Sequence, residues 1–163
     1  MKFNYYAFKA IYLHEMDRFR RTLMQSLLSP VLSTSLYFIV FGSVIGGYVQ
    51  KIDGISYGSY IVPGLLMLTL LTQSISNTSF GIFFPKFNGT IYEILAAPIS
   101  TLEIVLAFVG AGATKTLIVG LMIFLTSTFF VEVEVKYPLL MIFLLVLVSF
   151  TFALFGFLIG LMS

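Results

Sequence analysis

The sequence predicts an all-α, polytopic membrane protein in which an N-terminal amphipathic helix precedes four transmembrane helices. Of its 163 residues 59% are hydrophobic and 10% are charged, whereas soluble domains carry about 25% charged residues. Four apolar runs reach the ~20 residues that a helix needs to cross the hydrocarbon core. The net charge of +2 is too small to indicate a nucleic-acid partner, and the absence of cysteine excludes disulfides and thiolate sites. We therefore expect residues 1–163 to form a single transmembrane domain.

Residues 4–28 have the periodicity of an amphipathic helix. Aromatic side chains lie beside cationic ones in this segment, which is typical of a helix that lies in the lipid headgroup layer. We expect Pro30 to mark the change of direction into the membrane, because proline breaks or starts helices. The predicted apolar face comprises Tyr5, Phe8, Tyr12, Met16, Phe19, Leu23 and Leu27, and the polar side comprises His14, Asp17, Arg18, Arg21 and Gln25.

The first two predicted spans are residues 29–49 and 59–84. The loop at 50–58 separates them, with a turn expected at Asp53-Gly54. The second half of the second span is polar, and in lipid such groups would lack partners. They are therefore expected to face either other helices or a water-accessible path. This polar half contains Thr72, Gln73, Ser74, Ser76, Asn77, Thr78 and Ser79.

The connector at residues 85–100 separates the second and third spans and is too short to cross the bilayer. Asn88-Gly89 predicts a turn, and Thr90–Ala97 predicts a short amphipathic helix that Pro98 ends. From the residues alone, two interpretations are open. The connector is either an ordinary loop with one helical turn or a surface that binds a soluble partner.

The third predicted span covers residues 101–130, and the fourth covers 138–162 after a short acidic connection. The third exceeds the bilayer core, so it either tilts or projects into water at its Glu103 end. Lys115 lies about 18 Å along the helix axis from Glu103. A lysine at this depth is costly, so it is either functional or paired with a polar neighbour. Nucleotide binding by the surrounding glycine-rich run is rejected, because the phosphate-loop motif needs glycine immediately before the lysine.

The distribution of positive charge predicts the orientation. The N-terminal segment and the connector, which lie at one end of the spans, contain six Lys/Arg residues, whereas the loops at the other end contain only Lys51 and Lys136. The positive-inside rule therefore predicts that the N-terminus and the connector are cytoplasmic. The Lys/Arg residues of that cytoplasmic group are Lys2, Lys9, Arg18, Arg20, Arg21 and Lys86.

Three features follow one another in the middle of the chain: the run Tyr60–Leu66, the Ser/Asn-rich helix half after it, and the run Tyr92–Ser100 with Glu103. In these features and their order, the chain resembles the permease subunits of ABC-2 type transporters. The N-terminal run Glu15–Arg21, followed by Pro30, is also similar. The match extends over the whole chain and is closest to the bacterial branch of lipo-oligosaccharide, polysaccharide and drug exporters. Members typically have about six spans, so the chain resembles the N-terminal two thirds of such a permease.

The resemblance implies a multi-pass protein of the bacterial inner membrane that works as a homodimer or heterodimer. The connector would be a coupling helix that docks on a separate ATPase subunit, so ATP would be hydrolysed there and this chain would need no cofactor of its own. The residues implied for coupling are Pro85, Lys86, Phe87, Gly89, Tyr92, Glu93, Ile94, Leu95 and Pro98. Those implied for the interface helix are Glu15, Asp17, Arg18, Arg20 and Arg21, and those for a translocation path are Gln73, Ser76, Asn77 and Lys115.

A second function hypothesis comes from another class. The chain could be a small structural or assembly protein whose N-terminal helix binds the lipid surface without transport. An intramembrane enzyme is disfavoured, because the sequence has no paired carboxylates, metalloprotease motif or Ser/Lys arrangement at one membrane depth. Association with an ATPase subunit would distinguish the permease from the structural protein.

Overall fold

The structure is a computed structural model that describes residues 4–41, 48, 51, 52 and 54–163. Within these residues it contains six helices and one two-stranded hairpin. Four of the helices are long and apolar enough to cross a membrane. The elements are α1 (Tyr5–Arg21), α2 (Leu23–Val40), β1 (Lys51–Ile52), β2 (Ile55–Ser56), α3 (Tyr57–Phe87), α4 (Ile91–Ala96), α5 (Thr101–Phe130) and α6 (Pro138–Met162).

The N-terminal segment is divided at Thr22, which corrects the predicted boundary at residues 28 and 29. The Thr22 backbone N–H and hydroxyl both donate to the carbonyls of Arg18 and Phe19, which satisfies the last carbonyls of α1. Pro30 is buried inside α2 and does not break it. Proline is tolerated in membrane helices where neighbouring groups satisfy the freed carbonyl.

Helix α1 runs alongside α5 in the same direction. Asn4, just before α1, contacts Glu103 near the start of α5, and Glu15, further along α1, contacts Lys115, further along α5. Phe19, on the same face of α1, is also buried. This arrangement differs from the predicted helix lying flat in the headgroup layer, because the side facing the bundle includes Glu15 as well as apolar residues.

The predicted loop at 50–58 contains the hairpin, in which Lys51 pairs with Ser56 and Ile52 with Ile55. Gly54 has φ +84°, a left-handed conformation that glycine adopts without steric cost. The sequence places Gly42 and Gly46 four residues apart in the first predicted span, and this spacing predicts close helix packing. Both glycines lie outside the described residues, as does Asp53.

Helix α3 ends at Phe87 and therefore includes Pro85 and Lys86, which were predicted to belong to the connector. Asn88 caps it, and Gly89 turns the chain with φ +78°. The short helix α4 lies within the predicted amphipathic segment Thr90–Ala97. Helices α5 and α6 have the same bounds as the predicted third and fourth spans, and 131–137 connects them without a strand.

Helix α5 lies at the centre of the bundle. In its most apolar window 61% of residues are buried, against 22% or less in the other long helices. Helices α3 and α6 run parallel to each other and in close contact. A Cβ added at Gly156 would lie 2.8 Å from the Cα of Ile75, and one added at Gly160 would lie 3.1 Å from the Cα of Ser79. The glycines spaced by four residues thus let the two backbones approach closely.

Candidate functional site

The outer face of the connector exposes large apolar side chains. Tyr92 is 73% exposed, Leu95 62% and Phe87, at the end of α3, 77%. Ile91 and Ile94 of the same helix are partly buried and pack against the buried cluster around Phe108. The connector is thus anchored to the bundle by these two isoleucines and presents neighbouring apolar side chains outward. Ile94, which was predicted to contact a partner, belongs to the inner face.

The remaining residues predicted for coupling have different environments. Pro85 is buried in the last turns of α3, while Glu93 and Pro98 are exposed. Lys86 Nζ donates to the carbonyl oxygens of Gly160 at 3.4 Å and Leu161 at 2.7 Å, at the end of α6. The Lys86 cation therefore stabilises the C-terminal end of a neighbouring helix.

The junction between the connector and α5 is tied to the start of α1 through Glu103. Ser100 and Glu103 form a capping box, in which the Ser100 backbone N–H donates to Glu103 Oε2 at 2.9 Å. The other carboxylate oxygen of Glu103 accepts from the backbone N–H of Asn4. Glu103 is only 2% exposed. The carboxylate thus joins three chain segments at one end of the bundle.

A buried ion cluster lies further along α5. Lys115 Nζ donates to Glu15 Oε2 at 2.7 Å, and Arg18 Nη2 lies 2.9 Å from the same oxygen. The side chains of Glu15 and Lys115 are each 3% exposed, whereas Arg18 is 31% exposed. On α3, Gly81 leaves room for the cluster, because a Cβ there would lie 3.3 Å from Glu15 Oε2. Lys115 therefore has the polar partner that one of its two interpretations requires.

A cleft of about 140 Å³ opens beside this cluster, between α1 and α3. Arg18 and Lys115 supply its charged wall, and the Asn77 amide nitrogen is buried without a hydrogen-bond partner among the described residues. The remaining lining residues are Phe19, Thr22, Ser26, Ser76 and Phe80.

A second, uncharged groove of about 200 Å³ lies between α2 and α3. The residues predicted for a translocation path are therefore divided. Gln73 lines this groove, whereas Ser76, Asn77 and Lys115 line the charged cleft. Other polar groups of α3 pack between helices, since Ser74 Oγ donates to the Ser149 carbonyl at 2.6 Å. The groove is lined by Ser29, Pro30, Ser33, Thr34, Tyr37, Leu65, Leu68, Thr69, Thr72 and Gln73.

The residues predicted for the interface helix are also divided. Asp17, Arg20 and Arg21 are exposed, whereas Glu15 and Arg18 belong to the ion cluster. The periodicity contained a signal for Glu15 that sequence reasoning missed. Position 15 continues the spacing of Phe8, Tyr12 and Phe19, so Glu15 shares the face that packs on α5.

Comparison with known proteins identifies the family to which the chain is similar. Residues 6–163 match the family described as ABC-2 type transporter. The chain is 38% identical over 154 residues to the inner membrane transport permease YadH of Escherichia coli K12. The same values hold for YadH of Escherichia coli O157:H7 and of Shigella flexneri. The aligned region is 94% of this chain and 60% of each relative. No solved structure matches the chain significantly.

The family match spans nearly the whole chain and includes all four candidate spans. The matched region also contains the connector, the buried ion cluster, the charged cleft and the uncharged groove. The resemblance that the residues indicated is therefore confirmed at the level of the family. The chain is a multi-pass membrane protein and belongs to the ABC-2 type transporter family.

Proposed function

We propose that this chain forms the membrane permease part of an ABC-2 type exporter in the bacterial inner membrane. Its outer connector face, made of Phe87, Tyr92 and Leu95, docks on a separate ATP-binding subunit. The observation that carries this proposal is the two-sided connector. Three large apolar side chains are exposed along the connector, while Ile91 and Ile94 of the same segment pack against the core. Apolar and aromatic residues of this kind supply the central contacts of protein interfaces.

The connector is suited to transmit a displacement into the bundle. It joins α3 directly to α5, and α5 packs against α1, α2, α3 and α6. The Glu103 carboxylate links this junction to the start of α1. A partner that moves the connector between two arrangements would therefore shift several helices together, as differential contact in two states requires.

The uncharged groove between α2 and α3 is the better of the two openings for a path surface. Hydroxyl and amide groups line it, and it contains no ionised side chain. Substrate can move along such a wall without breaking an ion pair. Lys115 is already paired with Glu15, which supports removing it from the proposed path.

The orientation of the connector can be tested with single cysteines, because the chain has none of its own. We expect Asn88→Cys to react with a membrane-impermeant maleimide in inside-out vesicles and not in intact cells. Tyr137→Cys, in the connection at the other end of the spans, is the matched control and should show the opposite pattern. Labelling of Asn88→Cys from outside intact cells would contradict a cytoplasmic connector, and with it the docking proposal.

Docking is tested by co-purifying the full-length permease with its ATP-binding subunit. Tyr92→Ala combined with Leu95→Ala should weaken the complex at least tenfold, because it removes two exposed apolar contacts. Tyr137→Ala combined with Leu139→Ala is the control. It deletes the same residue types, which are 74% and 83% exposed at the opposite end, and should leave binding unchanged. Equal effects of the two double variants would refute docking on the connector.

A further inference from the structure

We propose that the cleft between α1 and α3 is a binding site for a phosphate group, contributed by the headgroup of an anionic lipid in the cytoplasmic leaflet. Arg18 and Lys115 would hold the phosphate oxygens, and the Asn77 amide would donate a third hydrogen bond. The site is separate from the connector face, and its occupation does not depend on an ATPase.

The charges in and around the cleft do not balance. Its wall carries two cations, Arg18 and Lys115, while Glu15, which is the carboxylate paired with both among the described residues, is not part of that lining. The cluster therefore has a net charge of +1 in a setting where unpaired charge is costly. An anion in the cleft would neutralise it.

The cleft also offers unused hydrogen-bond donors. Among the described residues, Glu15 is the only partner of Lys115 Nζ, which has three N–H donors. The Asn77 Nδ2 atom is buried and donates to nothing within the described part of the chain. A phosphate group accepts several charge-assisted hydrogen bonds at once, and guanidinium groups match its geometry. A neutral ligand would leave the positive charge uncompensated.

Size and depth both agree with a headgroup phosphate. A volume of about 140 Å³ is several times the minimum that one water molecule needs, and it has room for one phosphate group. Helix α5 has 30 residues and is therefore ~15 Å longer than the hydrocarbon core. If this excess lies at the Glu103 end, Lys115 is ~6 Å inside the core boundary, within reach of a lipid phosphate. The exposed side chains of Ser76 and Phe80 leave the cleft open towards lipid.

The test is native mass spectrometry of the detergent-purified chain titrated with phosphatidylglycerol, with diacylglycerol as the phosphate-free lipid. Inorganic phosphate is titrated separately by calorimetry to distinguish a lipid source from a soluble one. We expect one phosphatidylglycerol to bind in preference to diacylglycerol. Arg18→Gln should weaken binding at least tenfold, the loss expected for a charge-assisted hydrogen bond. Arg20→Gln, an equal change of charge at an exposed position of α1, should alter it less than twofold.

Asn77→Leu provides a second variant that leaves the ion pair intact, and it should weaken binding about fivefold. Saturable binding of inorganic phosphate that depends on Arg18 would support the site and assign it to a soluble phosphate. The proposal is overturned if Arg18→Gln and Arg20→Gln reduce binding equally, because surface charge would then suffice. It is also overturned if neither phosphate-bearing probe binds, or if diacylglycerol binds as well as phosphatidylglycerol.

Discussion

Neutralising one member of the buried pair between Glu15 and Lys115 should destabilise the bundle more than neutralising both. In Lys115→Met, Glu15 keeps Arg18 at 2.9 Å, so its charge is still partly compensated. In Glu15→Gln, Lys115 remains 3% exposed without a carboxylate and close to a second cation. The double variant has no charge at either position.

The magnitudes follow from the contacts. Breaking a buried pair by removing one partner costs about 3–5 kcal/mol, whereas replacing both partners with neutral groups is often close to neutral. We expect a loss of about 3 kcal/mol for Lys115→Met, because Arg18 remains, and about 5 kcal/mol for Glu15→Gln. The double variant should lose about 1–2 kcal/mol, mainly from imperfect packing. The two substitutions are therefore strongly non-additive.

The assay is a double-mutant cycle on the free energy of unfolding, measured by SDS titration in mixed micelles. Lys9→Met is the matched control, since Lys9 is an exposed lysine on α1, and it should change stability by less than about 0.5 kcal/mol. A double variant whose loss equals the sum of the two single losses would refute the reasoning. In that case the two side chains would not interact in the folded protein.

Three further changes test a packing contact, a helix cap and a hydrogen bond by the same unfolding measurement. Gly156→Ala should cost about 1–3 kcal/mol, because its Cβ would meet the Ile75 backbone. Gly64→Ala is the control, since Gly64 has open space around it, and it should be neutral or stabilising. Equal effects of the two substitutions would argue against close contact between α3 and α6. Ser100→Ala should cost about 1 kcal/mol by removing the capping box, and an unchanged stability would show that the cap contributes nothing. Tyr12→Phe should cost about 1 kcal/mol by removing a hydroxyl that donates to Thr114 at 3.0 Å, and no loss would place that hydroxyl in solvent.

Much of the membrane architecture could be predicted from local sequence. The length of an apolar run is a property of consecutive residues, so the third and fourth predicted spans have the same ranges as α5 and α6. The turn at Asn88-Gly89 was predictable for a similar reason, because the left-handed φ of Gly89 suits glycine. The short helix α4 follows from that turn and from Pro98 close behind it.

Other features were mispredicted because local signals competed. Proline is a stronger helix breaker than threonine, so the helix end was predicted just before Pro30. Helix α1 instead ends before Thr22, whose hydroxyl donates to the carbonyls of Arg18 and Phe19. The amphipathic pattern of α1 was recognised, but the burial of Glu15 was not. A carboxylate on an otherwise apolar face becomes informative only when a buried cation is known to lie opposite.

The sequence by itself determined how many helices are long and apolar enough to cross a membrane. It also determined where the connector between α3 and α5 lies. Both features depend on residues that are neighbours along the chain, through the length of an apolar run and the preferences of turn residues. The tertiary structure alone decided that Lys115 pairs with Glu15, which precedes it by 100 residues. It also decided that Ile94 faces inward while Tyr92 and Leu95 face outward. These outcomes depend on which helix faces meet, and that is settled by packing between segments that are distant along the chain.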